Sequence, residues 1–235
     1  MFVSDVYSND LAMVIEDWVA NDYGELPNQG VILDVGAHIG VFSLLAALKT
    51  RAHIFALEPV PENFAIVQKN IVLNNLAHRI TACEIALGGN TGTEKIFLNS
   101  INSAGHGFAP PKALASVMMK SINVQVKKLE DFLNEQHIRE VAFMKCDIEG
   151  SEYAMLFNTF PECFLKIKRI VVELHTNPPY VYEDAKIFLD RMGYTTEWAP
   201  CASGRKMLRA SRVTTAYPHF QAQNGREERD LKYLT

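Results

Sequence analysis

No apolar run in the 235-residue sequence approaches the ~18 residues that a bilayer-spanning helix requires, so no membrane span is expected. The first ten residues, MFVSDVYSND, carry two aspartates and no basic stretch, so a secretory signal peptide is not expected either. Cysteine is sparse. Cys83, Cys146, Cys163 and Cys201 stand far apart, with no C-x-x-C pair and no neighbouring histidine cluster. That spacing argues against a disulfide framework and a zinc site, and reduced thiols in a cytoplasmic protein fit it better. Cys83 and Cys146 fall inside apolar runs and are expected to pack as small hydrophobes. Positive charge is not in excess: the formal net charge of −4 gives no electrostatic reason to expect nucleic acid as a partner. With 48% hydrophobic and 21% charged residues, 13 Gly and 10 Pro, the composition is neither collagen-like nor that of a disordered chain. One asymmetry stands out. From Cys201 onward seven basic residues face three acidic ones. The plain reading is a solvated, partly helical tail; the alternative is a contact surface for an anionic acceptor or a partner subunit.

What is present is enough chain for one full core with extra segments at its ends. Residues 1–30 read as a helical lead-in, with Leu11, Val14, Ile15, Trp18 and Val19 at helical spacing. Residues 31–200 read as the main domain and 201–235 as a basic extension. Val31 to Asp34 is a short apolar strand followed by a glycine turn, and Val41 to Leu48 suits a helix. His53 to Leu57 is a second strand. Pro61 suits the first turn of a helix whose stripe is Phe64, Val67 and Ile71. Ile80 to Ile85 is a third strand. Short apolar strands joined by helical crossovers predict a doubly wound, mostly parallel α/β sheet with helices on both faces. The rhythm breaks over 88–121, an insertion with turn-rich stretches and short strands at Lys95 to Leu98 and Ile122 to Val126; such long loops often carry function. It resumes with strands at Val141 to Cys146 and Arg169 to Leu174. Helices follow at Glu152 to Phe157 and at Tyr182 to Met192, the latter with Val181, Ala185, Phe188, Leu189 and Met192 inward. Strands at Tyr194 to Trp198 and Lys206 to Ala210 complete a seven-stranded sheet.

Three segments place chemistry at the carboxyl edge of this sheet, where ligands of open α/β folds bind. The first is LDVGAHIG, residues 33–40, in which Asp34 ends a strand and Gly36 and Gly40 allow a tight turn and close backbone approach. A dinucleotide fingerprint, G-x-G-x-x-G, sets a helix N-terminus against a pyrophosphate. This loop is G-x-x-x-G with an acid before it. The acid would repel pyrophosphate but suits the positively charged aminoalkyl part of S-adenosylmethionine. The second point is Glu58, ending the second strand, where a carboxylate can accept both hydroxyl hydrogens of a ribose. The third is KCDIEGSE, residues 145–152, whose acids cluster like charge unless a cation, protons or Lys145 offset them. Glu152 can also be read as a favourable first-turn acid of the next helix. His175 closes a fourth strand, IVVELH, as a candidate general base or acceptor-orienting group, or a hydrogen-bonded structural residue. His38, inside the glycine loop, is expected to face solvent or pack on the ligand.

Together LDVGAHIGVFSLLAA, ALEPVPENFAIVQKNIVLNN, MKCDIEGSEYAML and IVVELH resemble the FkbM family of S-adenosylmethionine-dependent methyltransferases, in the family's order, over roughly Val31 to Trp198. The resemblance implies a class I methyltransferase, Rossmann-like sheet and O-methylation of sugars or secondary metabolites. By residue it implies that Asp34, Gly36, Ala37 and Gly40 form the methionine and adenosine loop and Glu58 the ribose ligand. Asn63 would lie near the ribose and adenine, and Ala86 at the border of the adenine. Asp147 and Glu149 would form the acidic loop facing donor and acceptor. His38 departs from the family's usual Asn, and the basic tail lies outside the match. Asp147 and His175 are the candidate catalytic groups. A metal-assisted variant through Asp147 with His175 or Glu173 is the lesser alternative, and metal is not expected to be required. The acceptor is a small molecule or glycan, and a homo-oligomer stays open. The rivals are a nicotinamide-dependent oxidoreductase, which the missing G-x-G-x-x-G disfavours, and a donor-binding module without turnover.

Overall fold

The computed structural model describes residues 23–98, 107, 120–200 and 206–212. The helical lead-in before Tyr23, most of 99–119, Cys201 and the tail beyond Arg212 lie outside the described residues.

Among the described residues ten strands and six helices follow in order: β1 (Val31–Val35), α1 (Val41–Lys49), β2 (His53–Leu57), α2 (Pro61–Leu73), β3 (Ile80–Cys83), β4 (Ala86–Leu87), β5 (Gly92–Phe97), β6 (Ser121–Lys127), α3 (Leu129–Glu135), β7 (Phe143–Cys146), α4 (Glu152–Phe157), α5 (Pro161–Leu165), β8 (Arg169–Leu174), α6 (Tyr182–Arg191), β9 (Thr195–Ala199) and β10 (Lys206–Ser211). Seven of the strands form one sheet in the order β3-β2-β1-β7-β8-β10-β9. β3, β2, β1, β7 and β8 are parallel, and β10 runs antiparallel between β8 and β9. The order reverses between β1 and β7, which is where open α/β sheets leave a crevice at their carboxyl edge.

Neighbouring residues along the central strands enter different cores, as the two-residue period of a strand requires. Ile32, Ile54, Phe143 and Val171 pack with α1 and α2 residues such as Phe42, Leu44, Val67 and Ile71. Leu33, Phe55, Met144 and Val172 pack on the other face with Phe132, Tyr153, Phe164 and Leu189. Both faces are therefore covered, and the strands read as mostly apolar runs broken by Asp34, Lys145 and Glu173 near their carboxyl ends. A second sheet, β4-β6-β5, holds a small core of Val60, Ala86, Ile96, Val124 and Val126.

The structure departs from the sequence expectations in a few places. β3 stops at Cys83, because the chain leaves the main sheet and Ala86–Leu87 pairs with β6 instead. The strand expected from Val141 starts at Phe143, with Val141 held in an isolated bridge to Ile167. Val181 is not inward but 60% exposed, since it caps α6 and precedes the helical register. Helices α3 and α5 were not anticipated; at seven and five residues they are too short to establish a period. Cys146 is fully buried as expected, and Cys83 half-buried. Among the described residues no helix is long and apolar enough to cross a membrane.

Tyr194 ties α5 to the strand that follows α6. Its buried hydroxyl lies 2.7 Å from the Phe164 carbonyl and 2.8 Å from that of Ile167. Tyr194→Phe should therefore cost about 1–3 kcal/mol, the penalty of leaving a buried polar group unsatisfied, as read by urea denaturation. A loss indistinguishable from zero would show that these carbonyls find other partners.

Candidate active site

The ends of β2, β1 and β7 lie side by side, with Val35 paired to Leu57 on one side and to Cys146 on the other. Beyond them the glycine loop is drawn across β2: the amides of Gly36 and Ala37 both donate to the Leu57 carbonyl, at 3.1 and 2.9 Å. Gly36 has φ +81, and a Cβ there would stand 1.8 Å from the Asp147 carbonyl oxygen. Only glycine allows the two loops to touch at this point.

Beneath the loop sits a buried ion pair. The Lys145 ammonium donates to Asp34 Oδ1 at 3.1 Å and to the Gly36 carbonyl at 2.8 Å, with the side chains 4% and 0% exposed. Ser43 donates to the other Asp34 oxygen at 2.6 Å. The ammonium also lies over the rings of Tyr23 and Phe42, at 5.6 and 5.8 Å from their centroids. The cation that Asp34 meets is thus Lys145, and its carboxylate faces the loop's underside, where the sequence reading had aimed it at a ligand's charge.

Glu58 is 5% exposed. Its carboxylate accepts from the backbone amides of His38 at 2.8 Å and Val60 at 2.9 Å, and from the Asn63 side chain. Burial pushes its pKa up to about 7, only partly offset by these hydrogen bonds and by Lys145. His38 itself is buried, with φ 51, so it faces neither solvent nor bulk water and contributes its amide. Asn63 is buried beside Glu58, and Ala86 packs with Val60 in the small core.

On the other side of β1 the acidic loop turns through Glu149, with φ 52. Glu152 is fully buried, and its carboxylate folds back to accept from the amides of Ile148 at 3.2 Å and Gly150 at 3.1 Å. Its Oε1 also lies 2.9 Å from Nδ1 of His175. Nε2 of the same ring lies 3.4 Å from Glu149 and 3.6 Å from Glu173. Burial alone would lower the His175 pKa; the hydrogen bond and charge of Glu152, with Glu149 and Asp147 behind it, reverse this and push it up to about 10. Asn177 donates to the Gly150 carbonyl at 2.6 Å and fastens the loop to the segment beyond β8. The buried Oδ1 of Asp147 has no hydrogen-bond partner among the described residues. Gly107 packs here too: a Cβ on it would stand 2.7 Å from the Glu149 carbonyl oxygen.

The expected residues therefore gather along one sheet edge: the glycine loop and Glu58 toward β2, Asp147, Glu149 and His175 toward β8. Two contributors escaped the sequence reading, and a third was left between two readings. Ser43 lies on α1, nine residues from the carboxylate it bonds. Glu152, a member of the acidic cluster with a first-turn acid as the alternative, is the fixed centre of the acidic loop. Asn177 gave no signal, being one polar residue in a turn.

Two stability measurements check this geometry. Lys145→Met leaves the Asp34 carboxylate buried without its cation and should cost about 3–5 kcal/mol in urea denaturation, most of it recovered when Asp34→Asn is added. Failure of the second substitution to recover stability would place the damage elsewhere. For Glu58, the folded-state pKa of about 7 lies above the unfolded 4.5, so the folded protein holds the proton more tightly. Its contribution to stability thus falls as pH rises between these values. Glu58→Gln should remove that slope, measured as thermal midpoint against pH; a slope unchanged in the variant would assign it to other groups.

Comparison with known proteins places this architecture. The family model described as the methyltransferase FkbM domain matches residues 34–196. Methyltransferase sdnD of Sordaria araneosa is 25% identical over 213 residues, covering 76% of this chain and 81% of that protein. The 31-O-demethyl-FK506 methyltransferase FkbM of Streptomyces tacrolimicus is 26% identical over 177 residues, covering 64% and 67%. A crystal structure of methyltransferase FkbM from Methylobacillus flagellatus superposes with a TM-score of 0.55 at 17% identity, over 82% of this chain. This chain spans under half of that protein, 46% of its length. The sheet is the class I methyltransferase, Rossmann-like sheet that the sequence motifs implied, and the match to the family model covers most of its strands and both loops at its carboxyl edge. The chain belongs to the FkbM methyltransferase family.

Proposed function

We propose that this chain moves the methyl group of S-adenosylmethionine to a hydroxyl oxygen of a sugar, glycan or secondary metabolite. The observation that carries the reading is the division of the sheet edge. A buried carboxylate held by backbone amides stands on one side of the glycine loop, and an acidic loop with an unpartnered Asp147 oxygen stands on the other. Glu58 suits a ribose, and the Gly36, Ala37 and Gly40 backbone suits the adenosine and methionine parts of the donor. Asn63 supports Glu58, and Ala86 borders the adenine side. The negative side chains of Asp147 and Glu149 favour a sulfonium nearby. The name of the Streptomyces relative, a methyltransferase of 31-O-demethyl-FK506, supports an oxygen acceptor. The nicotinamide alternative finds no support in the family match.

In the reaction the acceptor oxygen attacks the methyl carbon in line with the sulfur. The C–S bond breaks, sulfur keeps the electron pair as S-adenosylhomocysteine, and the new O–C bond forms. The hydroxyl proton goes to Asp147, whose Oδ1 has no competing donor, whereas both ring nitrogens of His175 face carboxylates. His175 is thereby a positioning residue in this scheme, holding Glu149 and Glu152 about its ring. Lys145 and Asp34 set the glycine loop from below. Much of the rate comes from holding donor and acceptor aligned at about 3 Å, which the two touching loops are built to do.

Asp147→Asn should leave the S-adenosylhomocysteine affinity within about threefold by calorimetry while lowering turnover by about 10²-fold or more, the usual size of a lost general base. Equal loss of both would place Asp147 in the donor site. A chain that binds the cofactor product yet methylates nothing in a broad panel of hydroxyl compounds would be a silent donor-binding module, and the proposal would fail.

A further inference from the structure

We infer that Asp147, Glu149 and His175 form a binding site for a divalent cation of the Mn²⁺ or Mg²⁺ type. The inference rests on the methyltransferase reading only for what the cation would do, not for where it binds. One ligand atom from each of the three residues lies within 4.8 Å of the other two. They come from two separate elements, the loop after β7 and the end of β8, so the grouping is a product of the fold and not of sequence proximity. Two further observations aim these groups at a common point. The Asp147 Oδ1 atom is sealed from solvent and has no hydrogen-bond partner among the described residues, a costly position for a carboxylate oxygen. The His175 ring is turned by Glu152, which takes up Nδ1 and leaves Nε2 directed at the carboxylates. A carboxylate behind one ring nitrogen is the usual way a protein orients the other toward a metal. Glu152 is fully buried and pinned by two backbone amides, so it can hold that orientation.

Donor chemistry selects the class of ion. Carboxylate oxygens with one imidazole nitrogen, and no thiolate in the group, suit a hard or borderline divalent cation. Glu173, 3.6 Å from Nε2, adds further negative charge beside the site. Water would complete the coordination, and an acceptor hydroxyl could replace one of those waters. Bound there, the hydroxyl would lose its proton more readily to Asp147, which would hold the cation through one carboxylate oxygen and take the proton on the other.

The test uses the full chain freed of metal by chelation, titrated with MnCl₂ by calorimetry and by loss of the free Mn²⁺ electron paramagnetic resonance signal. One Mn²⁺ per chain is expected. Asp147→Asn and Glu149→Gln should each weaken binding by about tenfold or more, and Glu152→Gln by a similar factor through the ring it orients. Glu140→Gln, an exposed acid paired with Lys168 away from the site, should change nothing. Circular dichroism melts identify any variant that fails to fold, and the remaining variants then carry the comparison. No binding at millimolar Mn²⁺, or equal binding by the parent, Asp147→Asn and Glu149→Gln proteins, overturns the site. S-adenosylhomocysteine is titrated into the same samples. If the protein binds S-adenosylhomocysteine but no manganese, the cation site alone falls; if it binds manganese but no S-adenosylhomocysteine, the site is supported and the donor reading falls.

Discussion

One buried contact organises the whole sheet edge: the Lys145 ammonium shared between the Asp34 carboxylate and the Gly36 carbonyl. Two charges out of water are expensive, and their attraction only repays that cost when geometry and additional hydrogen bonds are good. Here Ser43 supplies the missing bond to Asp34, and two aromatic rings lie beneath the cation. The pair joins β1 to β7 through their side chains, at the point where strand order reverses. With the pair in place the glycine loop cannot slide, and its contact with the Asp147 carbonyl fixes the acidic loop in turn.

From that contact outward, the site is a series of carboxylates given different surroundings. Asp34 is neutralised from within. Glu58 is buried, which draws its titration toward neutrality, and the amides it accepts from offset this only in part. Glu152 is spent on the backbone of its own loop and on His175. Asp147 keeps a buried oxygen with no hydrogen-bond partner among the described residues, and Glu149 lies against the His175 ring. Five acids in similar sequence settings thus acquire different roles, and burial and hydrogen-bond partners make the distinction.

The fold was largely legible in the sequence because its central strands are buried on both faces. VILDV, HIFAL and RIVVEL are mostly apolar, with polar or charged residues only at or next to their ends, and each became a strand. The departures came where elements are short or change sheets, as with α5, β4 and the early end of β3. At the site, positions were legible but orientations were not. Asp34 could be placed at the carboxyl edge from its motif. That its carboxylate turns to Lys145, 111 residues away in sequence, depends on β1 and β7 being neighbours, which no local pattern records. The burial of Glu152 was hidden for the same reason: a helix-start acid is ordinarily solvated, and only the approach of His175 from β8 encloses it.

The strand order has a consequence for how the protein is made. β9 touches the main sheet only through β10, which is later in the chain and sits between β9 and β8. During synthesis on the ribosome β9 emerges first but has no edge to join until residues 206–211 have followed it and zipped onto β8. The final seating of this edge therefore waits for almost the last described residues, and shortening the chain by even one strand would strand two.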